Sequence, residues 1–372
     1  VPPTTSRTTG PQILYIRLLE ACNARCRMCK FSGSTDAYRP DPDRLRQLVD
    51  DLHELGTQEV RFTGGEPLLY PELPDIVAHL TKRGMRSSFV TNGEHLASRA
   101  KELVDAGLTK LICSLDSPRP EVHDELRRTE GLLAAATEGM ELLRTAAAAA
   151  GTDVTLIVNT IVSNRTCGHL DEFLPLLAGL GVRRWNLIPL KGVRGLYLNR
   201  EQIDATHELL RTLLPAMAAA GVDANTLGPE IFGATEEQIQ NSSRGRSVTY
   251  ATCSVPLTVG YLDAKEGLLT ACNCLPHYRG RPLTIANAWD RPFGEVWNDP
   301  VFAEERRKFA VEAPSLCHGC EPSNVRFNAR VAEALTILPS RPTATGATAE
   351  SGERARLRQV EDSLFELGVE WL

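Results

Sequence analysis

Three cysteines crowd one short segment, Cys22-Asn-Ala-Arg-Cys26-Arg-Met-Cys29, spaced C-x3-C-x2-C. Thiolates this close can hold one face of a metal cluster and leave one iron without a protein ligand. A structural zinc site normally asks for four ligands, commonly in paired C-x2-C units, and no fourth Cys or His stands nearby. A zinc knuckle or free thiols are the bland alternative. Further on, Thr63-Gly64-Gly65-Glu66-Pro67 sets a carboxylate beside two glycines that permit close backbone approach. A second group follows in the C-terminal third: Cys253, then Cys272 and Cys274 as C-x-C, then Cys317, His318 and Cys320 as C-x2-C. Four ligands from this set can complete a coordination sphere, with zinc as the alternative to iron–sulfur. Cys113 reads as a small packed hydrophobe, and Cys167 as a loop residue on the predicted active-site face.

Those residues have to be positioned by regular elements, and the pattern is legible. Short β-branched runs at 12–18, 59–63, 86–91, 110–115, 152–161 and 183–189 alternate with stretches of helical apolar spacing. The helices run about 42–55, 72–83, 95–106, 131–150, 169–179 and 200–220. Asp41 is a natural N-cap before Pro42, and Gly56 stands just past the helix end. Six consecutive βα units predict a parallel sheet with right-handed crossovers, open or closing as a partial barrel, with its active site at the C-terminal strand ends. The first cysteine group and the GGEP segment fall just after the first and second strands. Beyond the sixth unit, LTVGYLDAKEGLLTA reads as a β-hairpin turning at Ala264–Gly267, and FGEVWNDPVFAEERRKFA as one or two short helices.

Ten cysteines in 372 residues are too sparse for a secreted disulfide scaffold, and their grouping points to metal in a reduced cytoplasm. With 41 Lys+Arg against 47 Asp+Glu the net charge is −6, without the basic patch of a nucleic-acid binder. No stretch has the length of a membrane span. Eight scattered histidines form no H-x3-H pair, and neither a P-loop nor a serine nucleophile elbow occurs.

At the cysteine triad and GGEP the chain resembles the radical S-adenosylmethionine (SAM) enzymes over roughly residues 12–222. The resemblance implies that Cys22, Cys26 and Cys29 hold a [4Fe–4S] cluster whose open iron is chelated by SAM. It implies that Gly64, Gly65 and Glu66 contact the SAM amino group. Thr91 and Ser114 stand where similar proteins contact the methionyl carboxylate or ribose, with Asn159 and Arg127 as further SAM-contact candidates. Met28 departs from the aromatic residue usual before the third cysteine, though a thioether covers similar apolar area. The C-terminal third resembles the twitch extension, the single-cluster relative of the SPASM domain, through TAC272, TIAN at 284–287, EVWN at 295–298 and the final C-x2-C. One auxiliary [4Fe–4S] cluster is expected, on Cys253, Cys272, Cys317 and Cys320. Cys274 can replace Cys272, stand by, or serve as a hydrogen-atom donor.

The expected architecture is thus α/β: a disordered leader at 1–11, a partial (β/α)6 TIM-like barrel at 12–222, and an auxiliary-cluster domain of hairpin and helices at 223–338. A linker with a C-terminal amphipathic helix occupies 339–372. The resemblance implies a 5′-deoxyadenosyl radical that takes hydrogen from a substrate C–H bond, with a flavodoxin- or ferredoxin-type electron donor. A small sugar-like or aminocyclitol (aminoglycoside-type) substrate is expected. It would be oxidised from alcohol to ketone with Lys191 or Arg194 as the basic group, or epimerised with Cys274 as hydrogen donor; elimination or decarboxylation also fit. The alternatives are a peptide-modifying maturase and a non-enzymatic zinc or iron–sulfur protein.

Overall fold

A computed structural model describes residues 10–190, 193, 195–225, 253–272, 277–278, 281–282, 284–316 and 328. The strands and helices alternate as β1 (Ile13–Leu19), α1 (Pro42–Glu54), β2 (Glu59–Gly64), α2 (Leu73–Lys82), β3 (Arg86–Thr91), α3 (Leu96–Asp105) and β4 (Lys110–Ser114). Two helices, α4 (Pro120–Arg127) and α5 (Leu132–Ala149), precede β5 (Thr155–Val162). Then come α6 (Phe173–Leu180), β6 (Arg184–Pro189), α7 (Arg200–Ala219) and β7 (Asp223–Asn225). Helix α4 is absent from the sequence-based expectation, although Pro120 at its first turn is a helix-start signal. The expected start at 169 is a 3-10 turn, Cys167–His169, with α6 beginning only at Phe173.

The C-terminal segment adds α8 (Val255–Thr258), β8 (Val259–Asp263), β9 (Leu268–Thr270), β10 (His277–Tyr278), β11 (Arg281–Pro282), β12 (Thr284–Asn287), α9 (Phe293–Trp297) and α10 (Pro300–Leu316). It does not stand apart. One ten-stranded sheet runs β12-β9-β8-β1-β2-β3-β4-β5-β6-β7, with β8 parallel to β1 from Ile13↔Val259 to Arg17↔Asp263. The hairpin expected at 264–267 therefore continues the main sheet through β1.

Alternation along the strands gives the sheet two different faces. Leu14, Ile16, Val60, Phe62, Phe89, Leu111, Val158, Trp185 and Leu262 point to one side and join a single apolar cluster with Leu48, Leu52, Val77, Leu103, Leu143, Leu177 and Leu210 from the helices. The other face is mixed, with polar side chains standing beside Ile13, Val90, Ile112 and Ile157. There Tyr15 stacks on Tyr261 (ring centroids 4.7 Å apart), the Arg61 guanidinium lies over Tyr15, and Asn186 donates to Asn159 at 2.8 Å. Beneath them the buried Glu59 carboxylate accepts from Arg61, Ser88 and Lys110 at 2.7–2.9 Å. No helix among the described residues is long and apolar enough to cross a membrane.

Candidate functional site

The cysteine triad lies in the loop directly after β1, at the C-terminal edge of the sheet. Cys26 is buried, Cys22 half-buried and Cys29 exposed, and none is in a disulfide. The loop has its own internal bonds: Cys22 N–H donates to Ser34 C=O, Gly33 N–H to Ala24 C=O, and Cys29 N–H to Cys26 C=O. The end of α4 supports it from the side, since Arg25 and Arg27 N–H donate to the carbonyls of Arg127 and Leu126. Burial pushes the Cys22 thiol up to about 11 and raises Cys26 as well. Thiols so desolvated are poor free anions, and a cationic cluster supplies the compensation that makes them thiolates. Among the described residues no three Cys, His, Asp or Glu groups converge on a point fit for a single ion. A four-iron cluster does not require that, because each thiolate takes a different iron.

The two glycines of the GGEP segment are explained by close contact with this loop. A Cβ on Gly64 would stand 2.2 Å from Leu19 C=O, and one on Gly65 2.0 Å from Ala21 C=O. Gly65 and Glu66 N–H donate to those same two carbonyls at 2.8 Å, so β2 carries the segment flush against the root of the cysteine loop. The Glu66 side chain is fully buried and faces inward. It accepts from Leu68 N–H at 3.0 Å, Thr91 O–H at 2.7 Å and Asn92 N–H at 2.8 Å. Thr91 in turn accepts from Gly93 N–H at 2.9 Å. Glu66 and Thr91 thus tie the ends of β2 and β3 together, leaving the backbone of Gly64 and Gly65 at the surface of the site. Burial lifts the Glu66 carboxyl to about 7 despite the three donors.

Glu66→Gln places an NH2 group against at least one N–H or O–H donor. Its expected cost is about 1–3 kcal/mol of stability, read by urea unfolding at pH 9, where the wild-type carboxylate is ionised.

Arg127 is buried beside the triad. Its guanidinium donates to Asp116 at 2.9 Å, and its Nη1 approaches Cys26 Sγ at 3.9 Å. Ser114 and Asn159 are register neighbours on β4 and β5 and continue laterally to Asn186 on β6. Met28 packs with Leu126, Leu190, Leu196 and Tyr197, an apolar patch between the cysteine loop and the end of β6. Cys113 is buried among core side chains and Cys167 is buried at the start of its 3-10 turn. Lys191, Arg194, Cys274, Cys317 and Cys320 lie outside the described residues.

Several participants carried no sequence signal of their own. Asn23, inside the cysteine loop, donates to Glu94 and accepts from Asn92 Nδ2 at 2.9 Å, bridging the triad to the turn after β3. Asp116 also accepts from Ile161 N–H at 3.1 Å, and its own N–H donates to His123 Nδ1. Burial lowers His123 to about 4 and so keeps it neutral. Asn23 and Asp116 are commonplace residue types whose partners Glu94, Asn92 and Ile161 lie dozens of positions away.

The second group is placed differently. Cys253 and Cys272 are both buried, and they flank the open end of the β8–β9 hairpin. That end lies at the N-terminal side of β1, opposite the triad; the length of β1 alone puts on the order of 20 Å between them. Asn328 Nδ2 donates to Cys253 Sγ at 3.4 Å, an arrangement suited to a thiolate.

Residues 16–161 match the family model described as the Radical SAM superfamily. Over 329 residues the chain is 27% identical to an AdoMet-dependent heme synthase of Oleidesulfovibrio alaskensis, covering 84% of this chain and 81% of that protein. Over 122 residues it is 39% identical to a GTP 3',8-cyclase of Limosilactobacillus fermentum, covering 31% of this chain and 37% of that one. In fold it is similar to Streptococcus suis SuiB bound to S-adenosylmethionine, with a TM-score of 0.63 at 14% identity over 86% of this chain and 74% of the other. The triad after β1 and the glycine pair after β2, fitted to one another, both fall within the residues that match the Radical SAM superfamily model.

Proposed function

We propose that this protein is a radical SAM enzyme that binds SAM at a [4Fe–4S] cluster on Cys22, Cys26 and Cys29 and oxidises an alcohol carbon of a small, sugar-like or aminocyclitol substrate. When bound, the cluster and SAM supply a 5′-deoxyadenosyl radical that takes a hydrogen atom from a C–H bond. Ketone formation then requires loss of the hydroxyl proton and of one electron. Cys253 and Cys272, with Cys317 and Cys320, would hold a second cluster that supplies the electron acceptor. Standing across the sheet from the triad, that centre suits electron transfer better than direct ligation of substrate.

The single observation that carries the substrate class is the set of hydrogen-bonding side chains on that face of the sheet. Its cations are held by acids: Arg17 by Asp263, Arg184 by Asp223, and Arg61, Arg86 and Lys110 together by Glu59. Beside them the Asn159 and Asn186 amides and the Tyr15–Tyr261 pair stand among Val90, Ile112 and Ile157, a lining that offers a compact hydroxylated ring both hydrogen bonds and an apolar floor.

Reconstitution under anaerobic conditions is expected to give about eight irons per chain. Substrate-dependent 5′-deoxyadenosine release should then appear with aminocyclitols or amino sugars. Release only with peptides would favour the maturase alternative, and zinc without SAM cleavage would sink the enzyme reading. Cys274→Ala should leave a dehydrogenase nearly unaffected, whereas an epimerase would still consume SAM but lose product. Tyr261→Ala is expected to raise KM about tenfold while sparing substrate-free SAM cleavage.

A further inference from the structure

The tip of the C-terminal hairpin is bonded to the cysteine loop through both backbone and side chains. Ala264 N–H donates to Arg17 C=O at 3.0 Å, at the top of β1. Ala264 C=O accepts from Tyr38 O–H at 2.6 Å and from Trp289 Nε1–H at 2.9 Å. Lys265 Nζ donates to Asp36 Oδ2 at 2.6 Å and lies 3.6 Å from Glu20 Oε2, two positions before Cys22. Asp263 pairs with Arg17, whose guanidinium lies over the Phe31 ring. Asp36 and Tyr38 belong to the limb that returns from the triad, and Ser34 on the same limb accepts from Cys22 N–H at 2.9 Å. Glu20 and Asp36 thus sit on the two limbs of the loop, and one ammonium spans them.

We infer that Lys265, with Tyr38 and Asp263, is a positioning device by which the C-terminal hairpin closes the cysteine loop on its cluster. The C-terminal segment therefore has a second task, retention of the SAM cluster, that is separate from any electron-accepting role at its own cysteines. The physical basis is that the loop's outer cysteine is exposed and that its two limbs each carry a carboxylate, Glu20 and Asp36. Two carboxylates brought close on its limbs repel unless a cation lies between them. Salt screens exposed ion pairs, so the effect should weaken as ionic strength rises.

The test uses the full chain with reconstituted clusters. In the Lys265→Met/Tyr38→Phe double variant, chelator removal of iron from the triad cluster is expected to quicken about tenfold, the sum of one ion-pair and one hydrogen-bond loss. Hydrogen exchange should rise within residues 22–38 and not in α5 or β5. Lys265→Arg should restore wild-type iron release, because a guanidinium can span the same carboxylates, and Lys308→Met serves as a surface control. Unchanged exchange and iron release in a folded variant would overturn the inference. So would exchange raised evenly across the chain, or a failure of Lys265→Arg to rescue. None of these readouts needs substrate, so they remain informative if the proposed alcohol oxidation is wrong.

Discussion

Cys26→Ala is expected to abolish SAM cleavage and to remove about four of the eight irons bound after reconstitution. Cys26 is the most deeply placed of the triad, with Arg127 directed at its sulfur and α4 bonded to the backbone on either side of it. The informative contrast is with Cys113→Ala and Cys167→Ala. Both residues are buried, Cys113 within the apolar cluster of the core and Cys167 at the start of its 3-10 turn. Those substitutions should keep the full iron content and activity and lose about 1 kcal/mol of stability. Iron analysis together with 5′-deoxyadenosine release separates the two classes. Equal iron loss in Cys113→Ala would break the assignment of the triad.

The largest effect on stability is expected at Glu59, far from the triad. Its carboxylate is fully buried at the N-terminal end of β2, and Arg61, Lys110 and Ser88 surround it. The adjacent Arg61 and Lys110 charges hold its pKa at about 2 against the desolvation that would raise it from the ordinary 4.5. A folded-state pKa below the unfolded one contributes stability that is complete above pH 4.5 and is lost as pH falls towards 2. A shift of that size corresponds to about 3 kcal/mol. Glu59→Gln leaves the Arg61 and Lys110 charges buried without a counter-ion, at an expected cost of about 3–5 kcal/mol at pH 7. Denaturant midpoints at pH 7 and pH 3 test both parts: the wild type should fall steeply between them, and the variant much less.

Neither the Glu59 network nor the clasp at Lys265 could be read from the chain as written. Glu59, Arg61, Ser88 and Lys110 stand on three strands, and single polar residues at strand starts resemble ordinary solvent-facing positions. Only the register between β2, β3 and β4 puts them on one face. Lys265 and Asp36 are separated by more than two hundred positions, and their meeting depends on β8 joining β1 in parallel. Glu66 shows the same limit within a recognisable motif. The spacing marks a carboxylate beside two glycines, whereas the fold turns that carboxylate inward to hold Thr91 and Asn92 and brings the glycines against Leu19 and Ala21.

What the sequence determined by itself is whatever depends on local chemistry or on short period. Strand and helix alternation follows from the spacing of apolar side chains. The capped start of α1 follows from Asp41 and Pro42, and the metal-binding character of the triad from three thiols within eight residues. Tertiary structure alone decided which distant groups share a face, which cysteines lie at which end of the sheet, and what closes the cysteine loop. Those outcomes depend on strand order and register, which a linear pattern leaves open because many pairings satisfy the same alternation. They are selected by the packing of one apolar face under the helices and the pairing of buried charges on the other.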